Sequence, residues 1–161
     1  MIFDRTQNDV DTAIRLRNEK VKFDPVTMQP INPEELTESE IATLEKGTIT
    51  YNTLNRIETK QQELADMLNA YGYMVNIETK NNWNANDIFN EENHLRILQN
   101  LSTLKNAFYV LNVTPVTPIY MFGFKELNDI EKILVDIEHL VKSMINSWVY
   151  MGNDYYMGGI A

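Results

Sequence analysis

One helical pattern is written three times along this chain. Leu54, Ile57, Gln61, Leu64, Leu68 and Tyr71 recur at alternating spacings of three and four residues. Ile97, Leu101, Leu104, Phe108 and Leu111 repeat it, and so do Leu127, Ile130, Leu134, Ile137, Val141, Met144 and Trp148. This spacing places one side chain per turn on a single stripe of an α-helix, and such stripes bury themselves against each other. The second segment lies forty residues after the first (Ile57 onto Ile97) and the third seventy-three after it (Ile57 onto Ile130). Leu64, Leu104 and Ile137 then fall together, as do Leu68, Phe108 and Val141. The spacing predicts an all-α fold: an antiparallel three-helix bundle with an additional N-terminal helix and one short helix. Its core stripe is Leu54, Ile57, Leu64, Leu68, Ile97, Leu101, Leu104, Phe108, Ile130, Leu134, Ile137, Val141 and Trp148. Gln61, polar within an apolar stripe, either fixes helix register or sits at an exposed end of the seam.

A chain of 161 residues suits one domain with a modest core of its own. A net charge of −9 argues against wrapping nucleic acid, which needs clustered Lys and Arg, and equally against an anionic membrane surface. With no cysteine, disulfides, thiolate nucleophiles and Cys-based metal centres are excluded. Met-Ile-Phe-Asp-Arg-Thr at the start lacks the basic and apolar regions of a signal peptide, and no apolar run approaches the ~20 residues that span a bilayer. The expectation is a soluble product made in a cytoplasm; if it leaves the cell, it leaves by lysis or inside an assembly.

Three units follow. Residues 1–46 comprise an N-terminal helix over 4–22 (Asp4 or Thr6 as N-cap; Val10, Ala13, Ile14 and Val21 as a thin apolar face), a proline-rich connection, and a short helix. Phe23-Asp24-Pro25 ends the first helix, Pro25 to Pro33 is irregular, and Thr37 with Glu40 forms a capping box for the short helix that stops at Gly47. Residues 47–150 form the bundle. Its first helix is capped by Thr48 or Thr50 and ends at Gly72, and its second is capped by Asn90 and ends near Asn112. Its third runs from Phe124 to about Tyr150. Between them, Tyr73 to Ile77 reads as a short extended piece, Asn81 to Asn86 as a loop around Trp83, and Thr114 to Pro118 as extended chain. Residues 151–161 read as a flexible Tyr/Gly tail beyond a helix stop at Gly152.

Candidate chemistry is sparse. Glu91-x-x-His94 and Asp136-x-x-His139 have the carboxylate–histidine spacing of di-metal bundles, but with Ile137 inward, Asp136 lies about 100° and His139 about 160° away. No metal site and no cofactor is expected. Glu58 and Glu131 hold matched positions in Leu54-Asn55-Arg56-Ile57-Glu58 and Leu127-Asn128-Asp129-Ile130-Glu131. A functional reading pairs them as acid and base; the simpler one has each accept from Arg, Lys or Asn on a neighbouring helix. Without a nucleophile triad, glycine-rich phosphate loop or HExxH stretch, the chain is not expected to be an enzyme. Trp83, Phe89, Tyr155 and Tyr156 are the candidate interaction residues. For Trp83 and Phe89, and for Phe122 and Phe124, the competing reading is a plug closing the end of the bundle.

Several stretches resemble a known family. Gly47-Thr48-Ile49-Thr50-Tyr51-Asn52-Thr53-Leu54-Asn55-Arg56-Ile57-Glu58 is similar to a helix start common in prophage tail proteins of Gram-positive bacteria. Trp83-Asn84-Ala85-Asn86-Asp87-Ile88-Phe89, followed by Leu95-Arg96-Ile97-Leu98-Gln99-Asn100-Leu101, resembles a second block of the same proteins. A Thr-Pro segment (Thr114 to Pro118) and an Ile-Glu-x-x-Leu helix (Ile130 to Leu134) come next in the same order, so that the resemblance spans about residues 47–145. It implies a phage virion component of the tail tip, baseplate or fibre region. The implied role is structural or adaptor, with other virion proteins as partners and a homo-oligomeric state. It supplies no catalytic residues. The alternative is a host cell-wall glycan-binding module of a receptor-binding apparatus, using Trp83, the Asn81–Asn86 loop, Tyr155 and Tyr156. No nucleic acid and no membrane partner is expected.

Overall fold

The computed structural model describes the backbone of residues 1–20, 22–23, 30–31, 36–120 and 123–156, and the side chains of 1–20, 36–120 and 123–147. The fold is all-α. Among the described residues five helices follow in order: α1 (Gln7–Lys20), α2 (Glu38–Gly47), α3 (Tyr51–Ala70), α4 (Glu91–Ala107) and α5 (Phe124–Tyr156). Two-residue strands β1 (Lys22–Phe23) and β2 (Pro30–Ile31) form a minimal antiparallel pair between α1 and α2. Pro25 and Pro33 of that connection, Val21, Met121, Phe122 and Met157–Ala161 lie outside the described residues.

Most helix boundaries follow from caps. Thr6 and Asp9 exchange bonds at the start of α1, with the Thr6 N–H donating to Asp9 Oδ2 at 2.7 Å. Thr37 and Glu40 close a full capping box on α2. The Thr50 side chain accepts from Thr53 N–H, and that of Asn90 from Asn93 N–H. Gly72, at φ +89°, turns the chain after α3 in the left-handed region that favours glycine. Two ends differ from expectation. α4 stops at Ala107 rather than Asn112, and Leu111 is exposed. Phe108 turns extended, its ring edge-on to Tyr73 at 5.4 Å, and the aromatic and β-branched residues that follow favour extended chain over another helical turn. α5 runs through Gly152 to Tyr156, so residues 151–156 of the expected tail are helical. One glycine costs a helix only ~1 kcal/mol, and no proline stops it. Residues 73–77 join no helix and pair in no sheet.

The three long helices run parallel, not antiparallel. Arg56 of α3 meets Glu131 of α5 at 2.9 Å, Lys60 meets Glu138 at 3.4 Å, and Tyr73 just beyond α3 meets Met144. Partner numbers therefore rise together. The same holds between α3 and α4: Glu58 with Arg96, Gln61 with Ile97 and Asn100, Tyr73 with Phe108. The physical reason lies in the connections. Antiparallel neighbours are joined by about 2–8 residues, whereas residues 71–90 and 108–123 are long enough to return the chain to its starting end. At ~3.3 Å per extended residue, either spans a helix of 20 residues, ~30 Å long.

Parallel direction turns the matched registers into layers. Ile57, Ile97 and Ile130 are fully buried, as are Gln61, Leu101 and Leu134, and Leu64, Leu104 and Ile137. Leu54, Leu68 and Val141 are buried too, and half-buried Phe108 packs against them; the Trp148 side chain lies outside the described residues. Gln61 sits inside the seam, its amide N–H donating to the Ile97 carbonyl at 2.9 Å. Outside this core, α1 and α2 form an antiparallel hairpin, with Lys20 near Glu40 at one end and Lys46 near Asp4 and Asp9 at the other. Gly47 is where the two helices touch: a Cβ there would overlap the Ala13 Cβ and the Asp9 carbonyl.

Candidate functional site

Glu58 is the eighth residue of α3 and is fully buried. A buried carboxylate is tolerable only when paired and hydrogen-bonded. Its Oε1 accepts from the Trp83 indole N–H at 2.8 Å and from Arg96 at 3.0 Å. Its Oε2 accepts from Arg96 at 2.7 Å and from the Lys80 backbone N–H at 2.6 Å. One turn earlier, Asn55 grips the Trp83 backbone at both ends, accepting from its N–H at 2.7 Å and donating to its carbonyl at 2.9 Å.

Glu131, the eighth residue of α5, repeats the device on another segment. Its Oε1 accepts from Arg5 at 3.2 Å and from Arg56 at 2.9 Å, and its Oε2 takes Arg5 and the Ile2 backbone N–H. Asn128 grips the Arg5 backbone as Asn55 grips Trp83, accepting from the N–H at 3.1 Å and donating to the carbonyl at 2.9 Å. Each Leu-Asn-x-Ile-Glu stretch is thus a clasp. The Asn stands in for a missing strand neighbour, the Glu takes that residue's side-chain donor, and an Arg from the next helix neutralises it. Two further amides work alike: Asn69 grips Val75, and Asn100 grips Glu78. Together they hold the return connection 73–83 against α3 and α4, satisfying backbone groups that no sheet pairs.

This arrangement agrees with the simpler reading of Glu58 and Glu131: both oxygens of each carboxylate face donors of the chain itself, with arginines among them. The histidine motifs separate likewise. His94 is buried, its ring stacked on Phe89 at 6.5 Å, while Glu91 is exposed. Asp136 accepts from the Thr114 hydroxyl at 2.9 Å and pairs with Lys132, while His139 is exposed. Among the described residues no three His, Asp or Glu side chains gather as a metal centre would require.

Trp83, expected as a candidate interaction residue, is only 4% exposed and belongs to the core. Glu58 satisfies its indole N–H, which removes the reason an indole stays at a surface. Half-buried Phe89 packs edge-on against it at 5.9 Å, and the Lys80 ammonium lies 4.1 Å over the indole. That ammonium also pairs with Asp87 at 2.9 Å; the hydrogen bond from Lys80, then that from the Asn84 N–H, holds the Asp87 carboxyl below its usual range. Phe124 is half-buried at the start of α5. Tyr155 and Tyr156 fall on α5, and their side chains lie outside the described residues.

The exposed apolar surface is elsewhere. The α4–α5 connection runs back along α4: the Pro115 carbonyl meets Lys105, and Ile119 and Tyr120 reach Phe89, His94 and Leu95 around a cleft of about 450 Å³. Along it Val116 is 83% and Ile119 85% exposed, with Tyr109, Leu111, Val113 and Tyr120 also open. No charged residue occurs between Lys105 and Lys125. That blank is the signal a charge-pattern reading finds and an aromatic count misses. Asn55, Asn128 and their arginines had a signal too, the twice-written Leu-Asn-x-Ile-Glu. Comparison with family models, curated proteins and solved structures finds no match.

Proposed function

We propose that this chain is a non-enzymatic structural or adaptor component of a phage virion, in the tail tip, baseplate or fibre region, acting through protein–protein assembly. The observation that carries the reading is the exposed, uncharged α4–α5 connection on a stiff frame. Monomeric proteins rarely leave contiguous apolar patches above a few hundred Å² open to water, and larger ones mark interaction surfaces. The frame suits a spacer. Three helices share one core, and both polar clusters near its N-terminal end are closed by internal arginines.

The order of the motifs over residues 47–145 supplies the phage context, and the chain's partners on this reading are other virion proteins. The glycan-binding alternative loses its main platform, since buried Trp83 cannot stack on a sugar ring. Quantitative mass spectrometry of particles purified from the producing strain tests the proposal. The chain is expected at a fixed ratio to the tail proteins; its absence while those proteins are detected overturns it.

A further inference from the structure

We infer that α1 and α2 form a hinged arm, latched to the bundle by residues 1–5 and pivoting at the α2–α3 link. The two clasps differ in their counter-ions. Among the described residues Glu58 pairs with one arginine, Arg96. Glu131 pairs with two: Arg5 of the latch at 3.2 Å and Arg56 of α3 at 2.9 Å. Removing one partner of a buried pair ordinarily strands the other charge. When residues 1–5 leave, Arg56 still neutralises Glu131, so this clasp can open and close.

The latched state is also imperfect. The Arg5 side chain is 2% exposed, and its buried Nε–H meets no acceptor among the described residues. A buried donor without a partner carries its full desolvation cost, which water relieves on release. Between the arm and the bundle lies a cleft of about 460 Å³, lined by Val10 and Ile14 of α1, by Ile49, and by Phe124 and Leu127 of α5. Interiors packed to full density leave few voids larger than a water molecule, so the arm is loosely seated. Within itself the arm is tightly joined. Gly47 fits against Ala13, Lys20 pairs with Glu40 at 3.4 Å, and Lys46 reaches Asp9 of α1 and Asp4 of the latch at 3.5 Å. Latch and hairpin therefore move as one body. At the pivot, Thr48 and Thr50 are extended, at φ −137° and −110°, in the broad basin open to any residue. Asn52 tethers Glu45 across it at 2.5 Å.

Spin labels on Arg15→Cys of α1 and Thr59→Cys of α3, both exposed positions in a chain with no cysteine, read the arm against the bundle by double electron–electron resonance. A second pair, Arg15→Cys with Ala42→Cys on exposed α2, reads the arm internally. The labelled parent is expected to show one dominant docked distance and a minor longer one. Arg5→Met and Asn128→Ala are each expected to raise the longer population at least about tenfold, with the Arg15–Ala42 distance and the helical circular dichroism unchanged. Added to Asn128→Ala, Arg56→Met is expected to lower that population, because release then strands Glu131 without a counter-ion. An Arg56→Met that opens the arm further overturns the inference, since a merely structural contact behaves that way. A docked distance unmoved in both single variants overturns it, as does a lengthened Arg15–Ala42 distance or melting of the bundle in both.

Discussion

Arg96→Met is the substitution whose cost the structure sets most clearly. Arg96 gives both terminal nitrogens to Glu58, at 2.7 and 3.0 Å, and the carboxylate has no access to water. Methionine keeps the aliphatic stem and removes the charge. Glu58 then retains the Trp83 indole N–H and the Lys80 N–H but no counter-ion. Breaking a buried pair in this way costs about 3–5 kcal/mol, and the two surviving donors place this site near ~3. For a chain of this size that is a fall in Tm of roughly 6–12 °C. Urea unfolding followed by far-UV circular dichroism measures it. Adding Glu58→Gln removes the stranded charge, and the double variant is expected to recover at least ~1 kcal/mol relative to the sum of the singles. A loss below ~1 kcal/mol for Arg96→Met, or strict additivity in the pair, refutes the reasoning that Glu58 is a buried counter-ion.

Gly47→Ala forces a methyl into the Ala13 and Asp9 contact, so α1 and α2 must separate at a cost of about 1–3 kcal/mol. Amide exchange should rise in those two helices while α3 to α5 hold. Asn55→Ala strips both backbone partners from Trp83 and should cost about 2 kcal/mol with a red shift of the indole emission; unshifted emission would contradict the clasp. Acid should loosen α1 and α2 before α3. The Thr37 backbone N–H, then its hydroxyl, holds the Glu40 carboxyl below its usual range, and the Thr6 hydroxyl, then its N–H, does so for Asp9. Carboxyls lowered on folding contribute stability that is complete above the ordinary carboxylate range and is lost as pH falls through the lowered value. α3 is capped by Thr50 with no acid in its first turn, so between about pH 6 and pH 3 amide protection relative to the intrinsic exchange rate should fall in α1 and α2 and not at the start of α3.

The helices and their caps were legible because they are local: Thr37 with Glu40, Thr50, Asn90 and Gly72 act within a turn of themselves. Helix direction was not, because the stripes of Ile57, Ile97 and Ile130 read the same whichever way a neighbour runs. The discriminating signal was the length of the connections, too long for tight hairpins and long enough to return. Trp83 carried two readings, a plug closing the bundle and an open contact, and its burial agrees with the plug. Its Asn-rich setting reads as an open loop, whereas Asn55 and Glu58 pull that loop onto α3 from nearly thirty residues away. The matched Glu58 and Glu131 were read as acceptors for side chains of a neighbouring helix, and Arg96 and Arg56 are such partners, but Arg5 as a partner of Glu131 could not be foreseen. Nothing local ties residue 5 to a helix that begins at Phe124.

The direction of the three helices underlies the proposed assembly role, because only parallel helices require the outer connection that carries the exposed apolar residues. Spin labels on cysteines introduced at exposed Tyr51, Lys125 and Lys142 measure it in a chain with no thiol of its own. With axes 8–10 Å apart, the parallel bundle predicts a Tyr51–Lys125 label distance under ~20 Å. The Tyr51–Lys142 pair should be longer by most of the ~25 Å that separates those two positions along α5. A short Tyr51–Lys142 distance with a long Tyr51–Lys125 distance would show antiparallel helices and contradict the account.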